Sequence, residues 1–182
     1  MIDFIEKTTF SVDLVQIRKD LESVLTQTQW APENQIGLVH RATTNKDIWK
    51  DCVGSLYNST QTVEISKETE FTELNPMVPE YTRDILLRFA DQEKFKLGRV
   101  RYMLLNPFTG IGAHYDTTIR YHLAINTNWM SYLAHTSKKN HLTAACHHIP
   151  ADSFFYKTDT TRLHFAYNGG TTPRIHLLIC PI

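Results

Sequence analysis

After Gly98 the apolar residues stop recurring every three or four positions and begin to alternate every two. That change constrains the fold more than any other feature of the chain, because a period of two belongs to half-buried strands. Residues 99–105 (RVRYMLL), 119–125 (IRYHLAI), 153–156 (SFFY), 163–167 (LHFAY) and 175–179 (IHLLI) read as strands. Turn-like stretches separate them at Asn106-Pro107, Pro150-Ala151-Asp152 and Asn168-Gly169-Gly170. Many short strands at this spacing predict a β-sandwich or barrel. The expected fold class is mainly β with some α (α+β), with N-terminal helices packed on the sheet.

Upstream of Gly98 the signals are mixed. Ser11 is placed to cap a helix over residues 13–27, with Leu14, Ile17, Leu21, Val24 and Thr28 on one stripe. Residues 36–40 (IGLVH) read as one short strand, and a further strand is expected near 62–65. Pro79 suits the first turn of a second helix to about residue 91, with Tyr81, Ile85, Leu86 and Phe89 turned to the core. A length of 182 residues suits one domain over 1–182, with a mixed N-terminal part (1–98) and a β core (99–182).

Composition excludes several classes. Nineteen basic residues balance nineteen acidic ones, which argues against nucleic acid as a partner. Three cysteines without a CxxC spacing argue against a disulfide framework and for a reducing, cytoplasmic setting. The first residues lack a signal-peptide pattern, and no run approaches the length of a membrane span, so no membrane partner is expected. Nine histidines are the unusual count.

Their positions carry the chemistry. In His114-Tyr115-Asp116 an extended backbone aims an imidazole and a carboxylate the same way. A second histidine from a distant strand would complete the 2-His-1-carboxylate set of non-haem iron oxygenases, which leaves coordination positions open. A tripeptide of this kind also occurs in surface loops, here after a turn at Gly110-Ile111-Gly112. The C-terminal segment adds weight. His164 and Arg174 flank the Gly-rich stretch 168–173, and a hairpin centred on Gly169 would make them cross-strand neighbours. An arginine there suits bidentate capture of a carboxylate. On 119–125, Arg120 and His122 share a face, which either lies in water or lines the mouth of a barrel beside the metal.

HYD (114–116), RYHLAIN (120–126) and the segment 164–177 resemble the iron- and 2-oxoglutarate-dependent oxygenases, and within them the aspartyl/asparaginyl β-hydroxylases. The resemblance covers about residues 100–179. It implies a double-stranded β-helix (jelly-roll, cupin-like) barrel. It implies Fe(II) as the metal, 2-oxoglutarate and O2 as co-substrates, and hydroxylation of an unactivated C–H with release of succinate and CO2. The implied substrate is an Asp/Asn-type residue of a peptide or protein, or a free amino acid. By the same resemblance His114, Asp116 and His164 are the catalytic metal ligands, Arg174 binds the distal carboxylate of 2-oxoglutarate, and Arg120 and His122 contact that co-substrate. Asp116 departs from the animal aspartyl β-hydroxylases, which lack this carboxylate. Met103 stands where the family usually keeps a small hydroxyl residue.

Other assignments compete. His176 shares the face of Arg174 and is a rival third ligand. A zinc site at Cys146-His147-His148 is disfavoured, since consecutive strand residues point oppositely. His40, His135 and His141 are expected at the surface or in the core, and Trp30, Trp49 and Trp129 in packing. The alternative function is a cupin-like metal-binding or ligand-sensing module without oxygenase activity, for which Arg174 would be superfluous.

Overall fold

The computed structural model describes residues 4–30, 33–57, 60, 62–136 and 144–182. In chain order the elements are β1 (Ile5–Ser11), α1 (Leu14–Leu25), β2 (Gln35–Gly37), β3 (Val39–His40), β4 (Glu73–Leu74), α2 (Glu80–Glu93), β5 (Leu97–Leu105), β6 (Thr109–His114), β7 (Arg120–Asn126), β8 (Ser131–Thr136), β9 (Ala144–His147), β10 (Phe154–Thr158), β11 (His164–Asn168) and β12 (Arg174–Pro181). They fall into two compact units. One holds the described residues up to Leu14 together with Leu104–Leu178. The other holds Val15–Met103 and Ile179–Ile182.

The first unit is a sandwich of two sheets. One sheet places β1, β10, β7 and β12 side by side, and the other runs β6-β11-β8-β9. β1 pairs antiparallel with β10, and β10 with β7. The inner faces meet in one apolar cluster. Ala124 of β7 and Tyr156 of β10 join Leu133 of β8 and Ala166 of β11 there, with Phe4, Leu105 and Ile149. Burial at about 25 cal/mol per Å² of apolar surface makes this cluster the adhesive between the sheets. The mainly β fold with helices expected from the sequence is present, and its jelly-roll takes the form of a sandwich whose two sheets do not close into a barrel.

β7 decides where the chemistry goes. Every residue from Arg120 to Ile125 is buried. Ala124 belongs to the inner cluster, so Arg120 and His122, at a period of two from it, also face inward. The polar face of this strand is therefore not in water.

Several expectations change. Residues 110–112 are not a turn but part of β6, an edge strand whose residues are mostly exposed. β1, β8 and β9 are strands that apolar alternation does not predict. Residues 36–40 split into β2 and β3, which belong to different sheets. Near 62–65 there is only an isolated bridge between Tyr57 and Glu64. The hairpin centred on Gly169 is absent, because β11 pairs with β6 and β8 while β12 lies in the other sheet. The segment 168–173 is a crossing between sheets, and Asn168 organises it. Its buried amide donates to the carbonyls of Leu105 (3.0 Å), Asn106 (3.2 Å) and Thr172 (2.9 Å), while its Oδ1 accepts from Ser131 Oγ (2.8 Å). Gly110 lets β6 approach β11 closely, since a Cβ there would sit 2.6 Å from the Ala166 carbonyl oxygen.

In the second unit Ile17, Leu21 and Val24 form the buried stripe of α1, as their spacing requires. Pro79 precedes α2 and offers no side-chain cap. Asp20 of α1 supplies it, accepting from the Thr82 main-chain N–H (3.0 Å) and hydroxyl (2.7 Å). A carboxylate at a helix N-terminus meets both the open donors and the positive end of the dipole. β2 pairs with β5, placing Gln35 opposite Met103 and Gly37 opposite Arg101. No helix among the described residues is long and apolar enough to cross a membrane.

Candidate active site

His114 is the last residue of β6 and His164 the first of β11, and the two are register partners. Their rings lie 4.3 Å apart, centroid to centroid, tilted by 52°. Each ring is oriented by its own backbone. His114 Nδ1 donates to the Gly112 carbonyl at 2.8 Å, and His164 Nδ1 to the Arg162 carbonyl at 2.9 Å. With the proton on Nδ1, the lone pair is on Nε2 in both rings, the state a metal requires. Burial is the main cause that pushes the His164 imidazole below its ordinary pKa; the Arg162 carbonyl opposes it, His114 adds to it, Asp116 opposes it and Arg120 adds to it.

Asp116 lies two residues beyond the end of β6. Its main-chain N–H donates to the Thr160 carbonyl at 2.9 Å, which holds the segment against the 159–163 loop. One carboxylate oxygen is 3.6 Å from His164 Nε2, and the other is 3.0 Å from Arg120 Nη2. One ligand atom each from His114, Asp116 and His164 lies within 4.8 Å of the others, a separation an ion could bridge. Arg120 also donates to the Thr118 carbonyl at 3.2 Å, and Thr158 Oγ1 donates to the Arg120 carbonyl at 3.0 Å. By resemblance Arg120 was expected on the co-substrate; its guanidinium lies on Asp116.

Arg174, His176 and His122 form a second cluster on the adjacent strands β12 and β7. Arg174 Nε donates to His176 Nε2 at 3.1 Å, and Arg174 Nη2 lies 2.9 Å from His176 Nδ1. His122 Nδ1 lies 3.3 Å from His176 Nδ1. Burial alone lowers the Arg174 guanidinium to about 10. Burial first, then the charge of Arg174, then His122 and His148, hold the His176 imidazole well below its ordinary value. Among the described residues no carboxylate pairs with Arg174. A buried cation without an anion is costly, so this cluster fits an anionic ligand. His176 is therefore not a rival metal ligand but a partner of the arginine, a role that strand periodicity could not reveal.

The remaining histidines lie elsewhere. His135 stacks on Phe4 (4.0 Å) and on His147 (5.2 Å). His148 Nδ1 donates to the Ser131 carbonyl at 2.9 Å and packs against Trp129. No further group of three candidate ligands occurs among the described residues, which leaves the zinc reading without support. His141 lies outside the described residues. Trp49 is buried and packs as expected, whereas Trp129 is 86% exposed.

Two facing sheets with a His-x-Asp pair at one strand end and a distant histidine on another present the 2-His-1-carboxylate donor set of non-haem oxygenases. The fold is shared with solved structures. An oxidoreductase of the 2OG-Fe(II) oxygenase family from Burkholderia pseudomallei has 11% identity over 97% of this chain and 82% of its own, with a TM-score of 0.57. AviO1 from Streptomyces viridochromogenes has 9% identity over 97% of this chain and 88% of its own, with a TM-score of 0.53. No curated protein matches the sequence. The family model described as aspartyl/asparaginyl beta-hydroxylase matches residues 12–180, and the chain belongs to that family.

Proposed function

We propose that the protein is an iron- and 2-oxoglutarate-dependent hydroxylase acting on an unactivated C–H of an Asp/Asn-type residue in a peptide, or of a free amino acid. The observation that carries this reading is the pairing of two clusters in one sandwich. One is a His/Asp/His donor set, and the other a buried arginine that pairs with no carboxylate among the described residues. Family membership supports the hydroxylation; the Asp/Asn preference is inferred from the family's description.

The chain's residues would divide the work as follows. His114 and His164 present Nε2 lone pairs, and Asp116 adds a carboxylate that Arg120 orients. Three protein donors on one side leave coordination positions for small ligands. When bound, iron with 2-oxoglutarate supplies the oxidising chemistry, with succinate and CO2 as by-products. Arg174 would pair with the distal carboxylate of that co-substrate. Burial of His122, Arg174 and His176 keeps water from competing for it.

The test is succinate release under iron and ascorbate across free amino acids and Asp- or Asn-containing peptides. Iron-dependent succinate release that rises with one of these substrates is the expected result. Metal binding without any 2-oxoglutarate turnover would return the protein to the sensing-module alternative.

A further inference from the structure

A buried arginine makes two separate demands: partners for five N–H donors, and compensation for one charge. A carboxylate meets both. A neutral imidazole offers one acceptor nitrogen, so it meets part of the first and none of the second. Arg120, buried in the same unit, uses a carboxylate, with Asp116 at 3.0 Å. Arg174 uses an imidazole instead: its Nε and Nη2 lie 3.1 and 2.9 Å from the two nitrogens of His176, one of which can accept.

This arrangement requires His176 to be uncharged. An imidazolium would offer no acceptor nitrogen at all and would set charge against charge on a guanidinium that pairs with no carboxylate among the described residues. His122 approaches Nδ1 of His176 at 3.3 Å, with the two rings at 78° and their centroids 5.5 Å apart. Arg174, His122 and His176 are all at least nine-tenths buried, so water does little to compensate the charge.

We propose that His176, backed by His122, is a positioning residue that holds the Arg174 guanidinium in place without neutralising it, reserving its charge for an incoming carboxylate. The inference rests on the co-substrate reading above, and it makes a prediction that ordinary packing would not. A better ion-pair partner at position 176 should strengthen the fold and weaken the ligand. Stability and affinity should move in opposite directions.

The experiment is calorimetric titration of 2-oxoglutarate, and of pyruvate as a control without the distal carboxylate, into oxygen-free protein with Mn(II). Thermal unfolding is measured alongside. His176→Gln, a neutral acceptor, should bind 2-oxoglutarate within about threefold of wild type. His176→Glu should bind it about 100-fold more weakly while melting at or above the wild-type temperature, because its carboxylate takes the place of the ligand's. Pyruvate affinity should be the same in all three. If His176→Glu retains wild-type affinity, or His176→Gln loses as much as His176→Glu, the inference is overturned while the oxygenase reading stands. If the wild type ignores 2-oxoglutarate but binds succinate, and His176→Glu loses that binding, the co-substrate reading falls and the inference stands. A wild type that binds no carboxylate overturns both.

Discussion

His114 and His164 face each other across a register pair, and each donates its Nδ1 proton to the main-chain carbonyl two residues before it. Both tautomers are thus set locally, before any metal arrives. Replacing either by alanine should abolish iron-dependent succinate release and lower metal stoichiometry measured by elemental analysis. Near-wild-type thermal unfolding is expected for His114→Ala, because His114 is partly exposed.

Arg120 holds Asp116 through the carboxylate oxygen that His164 does not approach. Outer partners of this kind typically contribute 10- to 100-fold in metal affinity. Arg120→Gln should therefore weaken Mn(II) binding by about that factor in a competition titration. Unchanged metal affinity would mean that the ion pair serves folding alone.

Acid should destabilise the protein through His176. Its folded pKa lies well below the ordinary value, by burial first and then by Arg174, His122 and His148. The unfolded chain therefore binds a proton that the folded chain refuses. The stability this group contributes is complete above about pH 6.5 and is lost as pH falls below it, at about 1.4 kcal/mol per pH unit. Urea unfolding at pH 7.5 and 5.5 should register that loss, and His176→Gln should reduce it.

In the second unit Asp20 satisfies both polar groups of Thr82 at the start of α2. Asp20→Ala would leave a buried N–H and a buried hydroxyl without this acceptor. A loss of about 2 kcal/mol is expected from a cap of this kind. Denaturant titration would measure it, and Asp20→Asn should lose less.

Asn168 ties three carbonyls and Ser131 together at the crossing between sheets. Asn168→Leu, similar in volume, should cost about 3 kcal/mol or more, since several buried partners lose their mate at once. A variant that melts within a degree of wild type would contradict this account of the crossing.

β7, β11 and β12 are legible in the sequence because their burial writes apolar residues into them, whereas half-buried β8 hides because Ser131 and Ala134 fill buried positions without an apolar signature. β6 escaped notice because TGIGAH is an exposed edge with little to bury, and its glycines imitate a turn. β1 escaped because IEKTTFS is also an edge, with Glu6 and Lys7 exposed. His114, Asp116 and His164 were legible as chemistry and are brought together. The hairpin logic that joined His164 to Arg174 failed, because a Gly-rich turn signals a reversal but not whether the chain stays in one sheet. The link from Arg174 to His176 was hidden for a related reason: period two says that they share a face, but not whether they touch.

One strand meters the distance between the two clusters. Arg120 reaches the Asp116 side, and His122 reaches the His176 side. Successive same-face residues of a strand are about 7 Å apart. β7 is thus a ruler with two marks, and both marks lie on its inner face. A single residue inserted before Arg120 in this strand would turn both marks outward together, so that metal grip and acid grip would be lost in one step.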